Sequence, residues 1–263
     1  MKIQFTKMHG AGNDFVMIDG RSAELFPAEK SPSEVIAGIA KRPNGIGCEG
    51  VIVVEDSARG WCDFKMRFFN PDGSEAELCG NGARCVAAFA KAIGAVRGNK
   101  MHFETLAGDI DAEILSPDSV KVRMPTPKNL REDFVNSGVP HRIVRVEDLE
   151  GTDVENEGRK IRFSEEFAPA GTNVDFVKIL DARRLAMRTY ERGVEAESGA
   201  CGTGATAAAV VGVAQHGMSF PVEVTTGGGY TLTVDGVRNE RGGFESVTLT
   251  GPVATVFSGV IEI

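Results

Sequence analysis

Leu78-Cys79-Gly80-Asn81-Gly82-Ala83 returns further along the chain as Ala200-Cys201-Gly202-Thr203-Gly204-Ala205, and this duplicated stretch decides the fold. Each copy is a cysteine, a glycine-spaced turn and then an alanine-rich segment, Ala83 to Ala95 after the first and Ala205 to Val213 after the second. Both segments carry almost no charge, and a helix that is apolar all round is buried rather than lying on a surface. The flanking runs are short and strand-like: 15–19, 50–54, 62–69, 119–124, 143–146, 173–179, 185–190, 222–225 and 230–234. Several alternate apolar with polar, as half-buried antiparallel strands do. Ser33 to Lys41, with Ser33 as N-cap, is the remaining helical candidate. The pattern predicts a mixed α/β (α+β) protein in which strands wrap a central helix, twice.

The repeat extends beyond the cysteines. Arg67-Phe68-Phe69-Asn70 and an acidic turn lead to Cys79, and Arg188-Thr189-Tyr190-Glu191 and a second charged turn lead to Cys201. Asn13-Asp14-Phe15-Val16 similarly echoes Asn173-Val174-Asp175-Phe176-Val177. Val122-Arg123-Met124-Pro125-Thr126-Pro127 breaks the pattern between halves, because two prolines one residue apart enforce extended backbone. The last residues, Ala254 to Ile263, read as a strand that joins the N-terminal half. The expected domains are therefore 1–122 with 252–263, and 123–251.

Composition excludes several classes. A net charge of −8 over 263 residues opposes nucleic-acid binding and attraction to anionic membranes. No apolar run is long enough to span a bilayer, and the N-terminus has no signal core. Five cysteines without a CxxC, and four dispersed histidines, argue against a zinc framework or a disulfide scaffold. Reduced cysteines in a cytoplasmic protein are expected.

A helix N-terminus favours negative charge and brings thiol and thiolate toward balance, so a cysteine there can take up a proton or give one. The adjacent glycine-spaced turns offer backbone N–H groups to a carboxylate and to the enolate-like charge formed when its α-carbon loses a proton. Read singly, each cysteine is a small apolar core residue. Duplication points instead to two thiols facing one carbon from opposite sides, in a site between the halves. Cys85, Cys62 and Cys48 carry no such signal, nor do His9, His102 and His216; His141, after Pro140, could orient a thiol. Gly10-Ala11-Gly12 lacks the third glycine and the following helix of a dinucleotide loop.

The sequence resembles the diaminopimelate epimerase family through six stretches in family order: 7–15, 69–75, 79–85, 172–174, 190–193 and 200–205. The resemblance implies two similar domains, each a mostly antiparallel strand barrel around a central helix, with the active site in the cleft between them. It implies cofactor-independent conversion of LL- to meso-diaminopimelate, a step toward lysine and peptidoglycan precursors. Cys79 and Cys201 would be the acid–base pair, supported by His141 and Glu191. Gly80, Asn81, Gly202 and Thr203 would hold the reacting carboxylate, and Asn13, Asn70, Asn173 and Arg192 the rest of the substrate. No metal, pyridoxal phosphate or other cofactor is implied; a homodimer is. Gly50 stands where many members carry a substrate-contacting glutamine, and Val139 where many have asparagine before Pro-His, so specificity is less defined than chemistry. Another amino-acid or proline-type racemase, a non-catalytic carboxylate-binding module and a redox dithiol remain open alternatives.

Overall fold

A computed structural model describes residues 2–21, 25–26 and 29–262, and the chain forms two compact units, Met1–Val122 with Pro252–Ile263, and Arg123–Gly251. The first unit runs β1 (Lys2–Gly10), β2 (Asn13–Asp19), α1 (Pro32–Ala40), β3 (Gly50–Glu55), β4 (Phe64–Phe69), β5 (Glu75–Ala76), α2 (Gly80–Ala92), β6 (Lys100–Thr105), β7 (Gly108–Ser116) and β8 (Ser119–Arg123). The second runs β9 (Lys128–Arg131), β10 (Phe134–Asn136), β11 (Pro140–Arg145), α3 (Val154–Arg162), β12 (Asn173–Asp181), β13 (Arg184–Glu191), β14 (Ala196–Ser198), α4 (Gly202–Gln215), β15 (Val222–Thr225), β16 (Thr231–Arg238) and β17 (Phe244–Pro252). The last strand, β18 (Ala254–Glu262), pairs antiparallel with β1 from Lys2 opposite Glu262 onward. Ile263, the final residue of the expected strand, lies outside the described residues.

Pairing is mostly antiparallel, and the exceptions fall at matching places. In the first unit β2 runs parallel to β3 across α1, and β4 runs parallel to β6 across α2. In the second, β11 runs parallel to β12 across α3, and β13 runs parallel to β15 across α4. A parallel pair requires a crossover, and in each case a helix supplies it. The duplication is therefore topological as well as textual. It also corrects one sequence echo: Asn13 opens β2, the strand before a unit's first crossover, whereas Asn173 opens β12, the strand after it.

Each unit closes round its central helix. Strand β3 is Gly50-Val51-Ile52-Val53-Val54 with every one of these residues buried, as a strand covered on both faces must be. Each such aliphatic side chain contributes about 1.5–3 kcal/mol of transfer free energy. On α2, Val86, Ala87, Phe89 and Ala90 are buried, and α4 is buried continuously from Gly204 to Gly212. Both helices begin one residue after their cysteine, three residues earlier than the alanine-rich segments alone indicate. No helix among the described residues is long and apolar enough to cross a membrane.

Two local expectations are corrected. The N-cap of α1 is Ser31, not Ser33: Ser31 Oγ accepts from the Glu34 N–H, Glu34 reaches back to the Ser31 N–H, and Pro32 takes the first turn. Helix α3 was not expected, because Val154-Glu155-Asn156-Glu157-Gly158-Arg159-Lys160-Ile161-Arg162 has too few apolar residues to show a stripe. It is capped by Asp153 and touches the sheet through Val154 and Gly158, its only fully buried residues. A Cβ on Gly158 would lie 2.4 Å from Cβ of Tyr190, itself in the core.

Gly158→Ala should therefore destabilise the protein by about 1–2 kcal/mol, overpacking outweighing the gain in helix propensity. Urea unfolding measures this; a variant more stable than the parent would show that α3 does not depend on this close approach.

Candidate active site

The first cysteine mouth is built from β2, the turn before β3 and the start of α2. Cys79 is the N-cap of α2, in extended backbone (φ −124°, ψ 122°) that turns its side chain off the helix. Its Sγ donates to Asn13 Oδ1 at 3.4 Å, and Asn81 Nδ2 donates to the same oxygen at 3.3 Å. Three residues singled out in the sequence thus meet at one atom. The other side of the Asn13 amide donates to Glu49 Oε2 at 2.5 Å, which fixes the orientation of the side chain. Glu49 is held in turn by its backbone N–H on Asp14 Oδ1 at 2.9 Å, and Asp14 pairs with Lys7 at 2.6 Å.

Beneath this group lies Arg84, completely buried, with its Nη2 on Asn81 Oδ1 at 2.7 Å. Burial pushes its guanidinium below the usual arginine value, while interaction with Cys85 and Cys79 acts in the opposite sense. Asn70 sits apart from these bonds in the β4–β5 turn, where its amide donates to Ser74 Oγ at 3.1 Å. Gly80 forms the first turn of α2 beside Asn81. Cys85 is wholly buried one turn further along, and burial pushes its thiol up to about 12, so it is an inert core residue.

The second mouth is built from β11, β12 and the start of α4. Cys201 is the N-cap of α4, and its Sγ accepts from the Gly204 N–H at 3.4 Å. The thiol lies 3.4 Å from Thr203 Oγ1, which lies 3.0 Å from His141 Nε2; His141 Nδ1 is 2.7 Å from Asp175 Oδ2. The result is a line of groups, Asp175–His141–Thr203–Cys201, with His141 and Asp175 wholly buried. Thr189 Oγ1 donates to Asp175 Oδ1 at 2.8 Å, and Ser137 Oγ donates to the Thr203 carbonyl at 2.8 Å. Asp175 thereby fixes the ring with Nδ1 toward its own carboxyl and Nε2 toward the threonine hydroxyl. Asn173 binds the Pro140 carbonyl through Nδ2 at 3.0 Å and accepts the Arg192 N–H at 2.8 Å. It thereby ties the turn carrying Glu191 and Arg192 to the β11 strand that carries His141.

The expectation that a helix mouth balances thiol and thiolate does not hold for Cys201. Burial pushes this thiol well above its ordinary value, the charges of Glu191 and Asp175 add to the effect, and the bonds from Thr203 and Gly204 oppose it only in part. Sequence reading missed Asp175, Thr189, Ser137, Glu49 and Arg84. Asp175 was visible only as an unusual acid inside an apolar strand run, Asn173-Val174-Asp175-Phe176-Val177, where a buried carboxylate requires a partner.

The position that departs from the family pattern at residue 50 has a steric reason. A Cβ on Gly50 would lie 2.5 Å from the Phe68 ring and 3.2 Å from the Phe15 ring, so no side chain fits there without displacing the core. The residue before it, Glu49, supplies the polar contact to Asn13 instead. At residue 139, the Val139 carbonyl accepts from the Ser137 N–H at 3.2 Å, which forms the tight loop leading into His141.

Comparison with solved structures defines the class of fold. A phenazine biosynthesis protein of the PhzF family from Bacillus anthracis matches at a TM-score of 0.75, with 16% identity and 100% of both chains covered. A hydroxyproline epimerase from Agrobacterium vitis matches at 0.69, with 16% identity over 99% of this chain and 92% of that one. At such identities these are likenesses of fold alone. Sequence relatives are more specific: a diaminopimelate epimerase from Aquifex aeolicus is 44% identical over 98% of this chain and 97% of its own length. One from Archaeoglobus fulgidus is 37% identical over 100% of this chain and 98% of its own. The family model for diaminopimelate epimerase matches residues 5–130 and 134–256, and the chain belongs to that family.

The charge that raises the Cys201 thiol can be removed without touching the sulfur. In Glu191→Gln, loss of a negative charge near Cys201 favours the thiolate, so the midpoint of its alkylation-rate profile should move to lower pH. Iodoacetamide labelling of Cys201, followed by peptide mass spectrometry across pH, measures it; an unmoved or raised midpoint would show that Glu191 does not act on this thiol.

Proposed function

We propose that the protein interconverts LL- and meso-diaminopimelate without a cofactor, with Cys79 and Cys201 as its two acid–base groups. The observation that carries this reading is the pair of cysteines, each the N-cap of the buried central helix of its own unit. Family membership supports the substrate.

In the reaction, a thiolate takes the α-hydrogen as a proton, the C–H electron pair remains on the substrate as a carbanion conjugated with its carboxylate, and the other thiol gives its proton to the opposite face. The two sulfurs finish with their protonation states exchanged, so the reverse reaction begins from the product. Gly80 with Asn81, and Gly202 with Thr203, present helix-start N–H groups to the carboxylate whose charge grows in the transition state. Asn13, Asn70, Asn173 and Arg192 hold the remainder of the substrate, whose second amino-acid end needs polar partners. The surroundings of the two sulfurs differ, which supports unequal resting roles: burial and the charges of Glu191 and Asp175 push the Cys201 thiol up, favouring it as the acid, while Cys79 interacts with the buried Arg84 guanidinium.

Five dispersed cysteines without a CxxC spacing favour a reducing, cytoplasmic compartment. Val256, Phe257 and Val260, exposed along β18, support a homodimer joined through that strand. Sedimentation should give a dimer that Phe257→Asp converts to monomer; a parent protein that sediments as a monomer would overturn this assembly.

The activity is tested by incubating the protein with LL- or meso-diaminopimelate in deuterated water. The expected result is inversion at one α-carbon with one deuterium incorporated, and loss of turnover by at least ~10²-fold in Cys79→Ser and in Cys201→Ser. Full turnover in either variant would overturn the two-thiol assignment. Inversion of another amino acid but not of diaminopimelate would overturn the substrate, and carboxylate binding without label exchange would leave a binding module in place of an enzyme.

A further inference from the structure

A third chemical centre lies on the outer face of the β6–β7 hairpin and uses none of the residues of either cysteine mouth. Strand alternation turns Met101, Phe103, Ile110 and Ala112 into the core, where Phe103 stacks on Phe64 at 4.7 Å. The alternate residues therefore share the opposite face, and the antiparallel register sets His102 across from Asp111 and Glu104 across from Asp109. The segment ahead of β4 is fastened alongside: the Asp63 N–H donates to the His102 carbonyl at 2.7 Å, and the His102 N–H donates to Asp63 Oδ2 at 2.8 Å. This brings Cys62 to the histidine, and one ligand atom each from Cys62, His102 and Asp109 lies within 4.8 Å of the other two.

The arrangement around the histidine is directional. Its Nδ1 is 2.7 Å from Asp111 Oδ1, whereas its Nε2 lies 3.5 Å from Asp109 Oδ2. A carboxylate on one imidazole nitrogen fixes the tautomer and aims the other nitrogen, the support that metal-binding histidines commonly have. Asp109 is also held: its Oδ1 accepts from Arg59 at 2.5 Å, and its Oδ2 accepts from the Trp61 indole at 3.2 Å. Glu104, 3.6 Å from the same arginine, adds a further negative charge. Asp109 and Glu104 thus share one guanidinium, while Asp111 and Asp63 add two further carboxylates around His102, leaving an excess of negative charge.

We propose that Cys62, His102 and Asp109 bind a divalent transition-metal ion of the zinc type, with Asp111 as the positioning residue for His102. The donor set selects the metal. A thiolate and an imidazole nitrogen suit Zn²⁺ and discriminate against Mg²⁺ and Ca²⁺, which take oxygen ligands. Three protein ligands leave a fourth position for water. Binding forms the metal–sulfur bond as the thiol proton is released, so affinity rises with pH. Cys, His and Asp come from three separate strands or turns, 62, 102 and 109, so no ligand spacing along the chain betrays the site.

Titration of the metal-stripped protein with Co²⁺ tests the proposal. The expected result is a near-ultraviolet thiolate-to-cobalt absorbance saturating at one equivalent and displaced by Zn²⁺. Cys62→Ser should abolish this absorbance, His102→Gln should weaken binding by at least about 10-fold, and Asp111→Asn should weaken it by about 10–100-fold. The double variant Cys79→Ser/Cys201→Ser should keep it, which separates this site from the proposed catalytic thiols. No absorbance at one equivalent, or absorbance that survives Cys62→Ser, would overturn the site. Should circular dichroism show Cys62→Ser to be unfolded, unaltered affinity in folded His102→Gln would overturn it equally.

Discussion

Each unit depends on a helix buried all round inside strands, and that burial creates a problem at one end. The first N–H groups of a helix have no partner within it, and a buried helix cannot pass them all to water. Each helix starts with cysteine as N-cap and glycines in the first turn, so that backbone can be approached closely. Such a helix start is the natural place for an anion. Core packing and proposed chemistry are two consequences of one arrangement, in which each central helix directly follows the cysteine that caps it.

The parts legible in the sequence were those with a strong local signature. The two central helices and most long strands follow from apolar patterning, which reports burial directly, whereas the β1–β18 closure follows from the tendency of a C-terminal strand to pair with an N-terminal one. Helix α3 escaped because it buries little besides Val154 and Gly158 and is stabilised by its Asp153 cap and its fit against Tyr190, neither of which leaves a stripe. Ser31 was overlooked in favour of Ser33 because a proline between them reads as a break when taken alone, yet it is the preferred first residue of a helix.

For the site, the residues in motifs were legible and their supports were not. Cys79, Asn81 and Asn13 meet at one atom, and Cys201, Thr203 and His141 form one line of contacts. Glu49, which orients the first group, comes from a place where the sequence shows only an ordinary acid, whereas Asp175, which orients the second, stands out only as an acid within an apolar run. Such supports act through distance and angle after folding, and sequence spacing does not reveal what they hold. Asn70 illustrates the converse, since a residue in a family motif is here bound up in its own turn.

The duplicated units are not electrostatically equivalent, and the proposed inversion uses that difference. A pair of thiols that shares one proton holds a base and an acid at once, and unequal surroundings bias which sulfur keeps the proton. Divergence after duplication put buried Arg84 four residues into α2, where α4 has Thr206, and put Asp175 and His141 beneath the mouth of α4. The cation stands near Cys79, and the carboxylates Glu191 and Asp175 stand near Cys201. In the proposed reaction each inversion exchanges the protonation of the sulfurs and so leaves the pair in the less favoured state. On that proposal the difference must be large enough to prepare one acid and one base, yet small enough for the exchanged state to form. The Gly204 N–H donated to Cys201 Sγ and the contact with Thr203 act in that second direction, opposing the upward push of burial on the thiol.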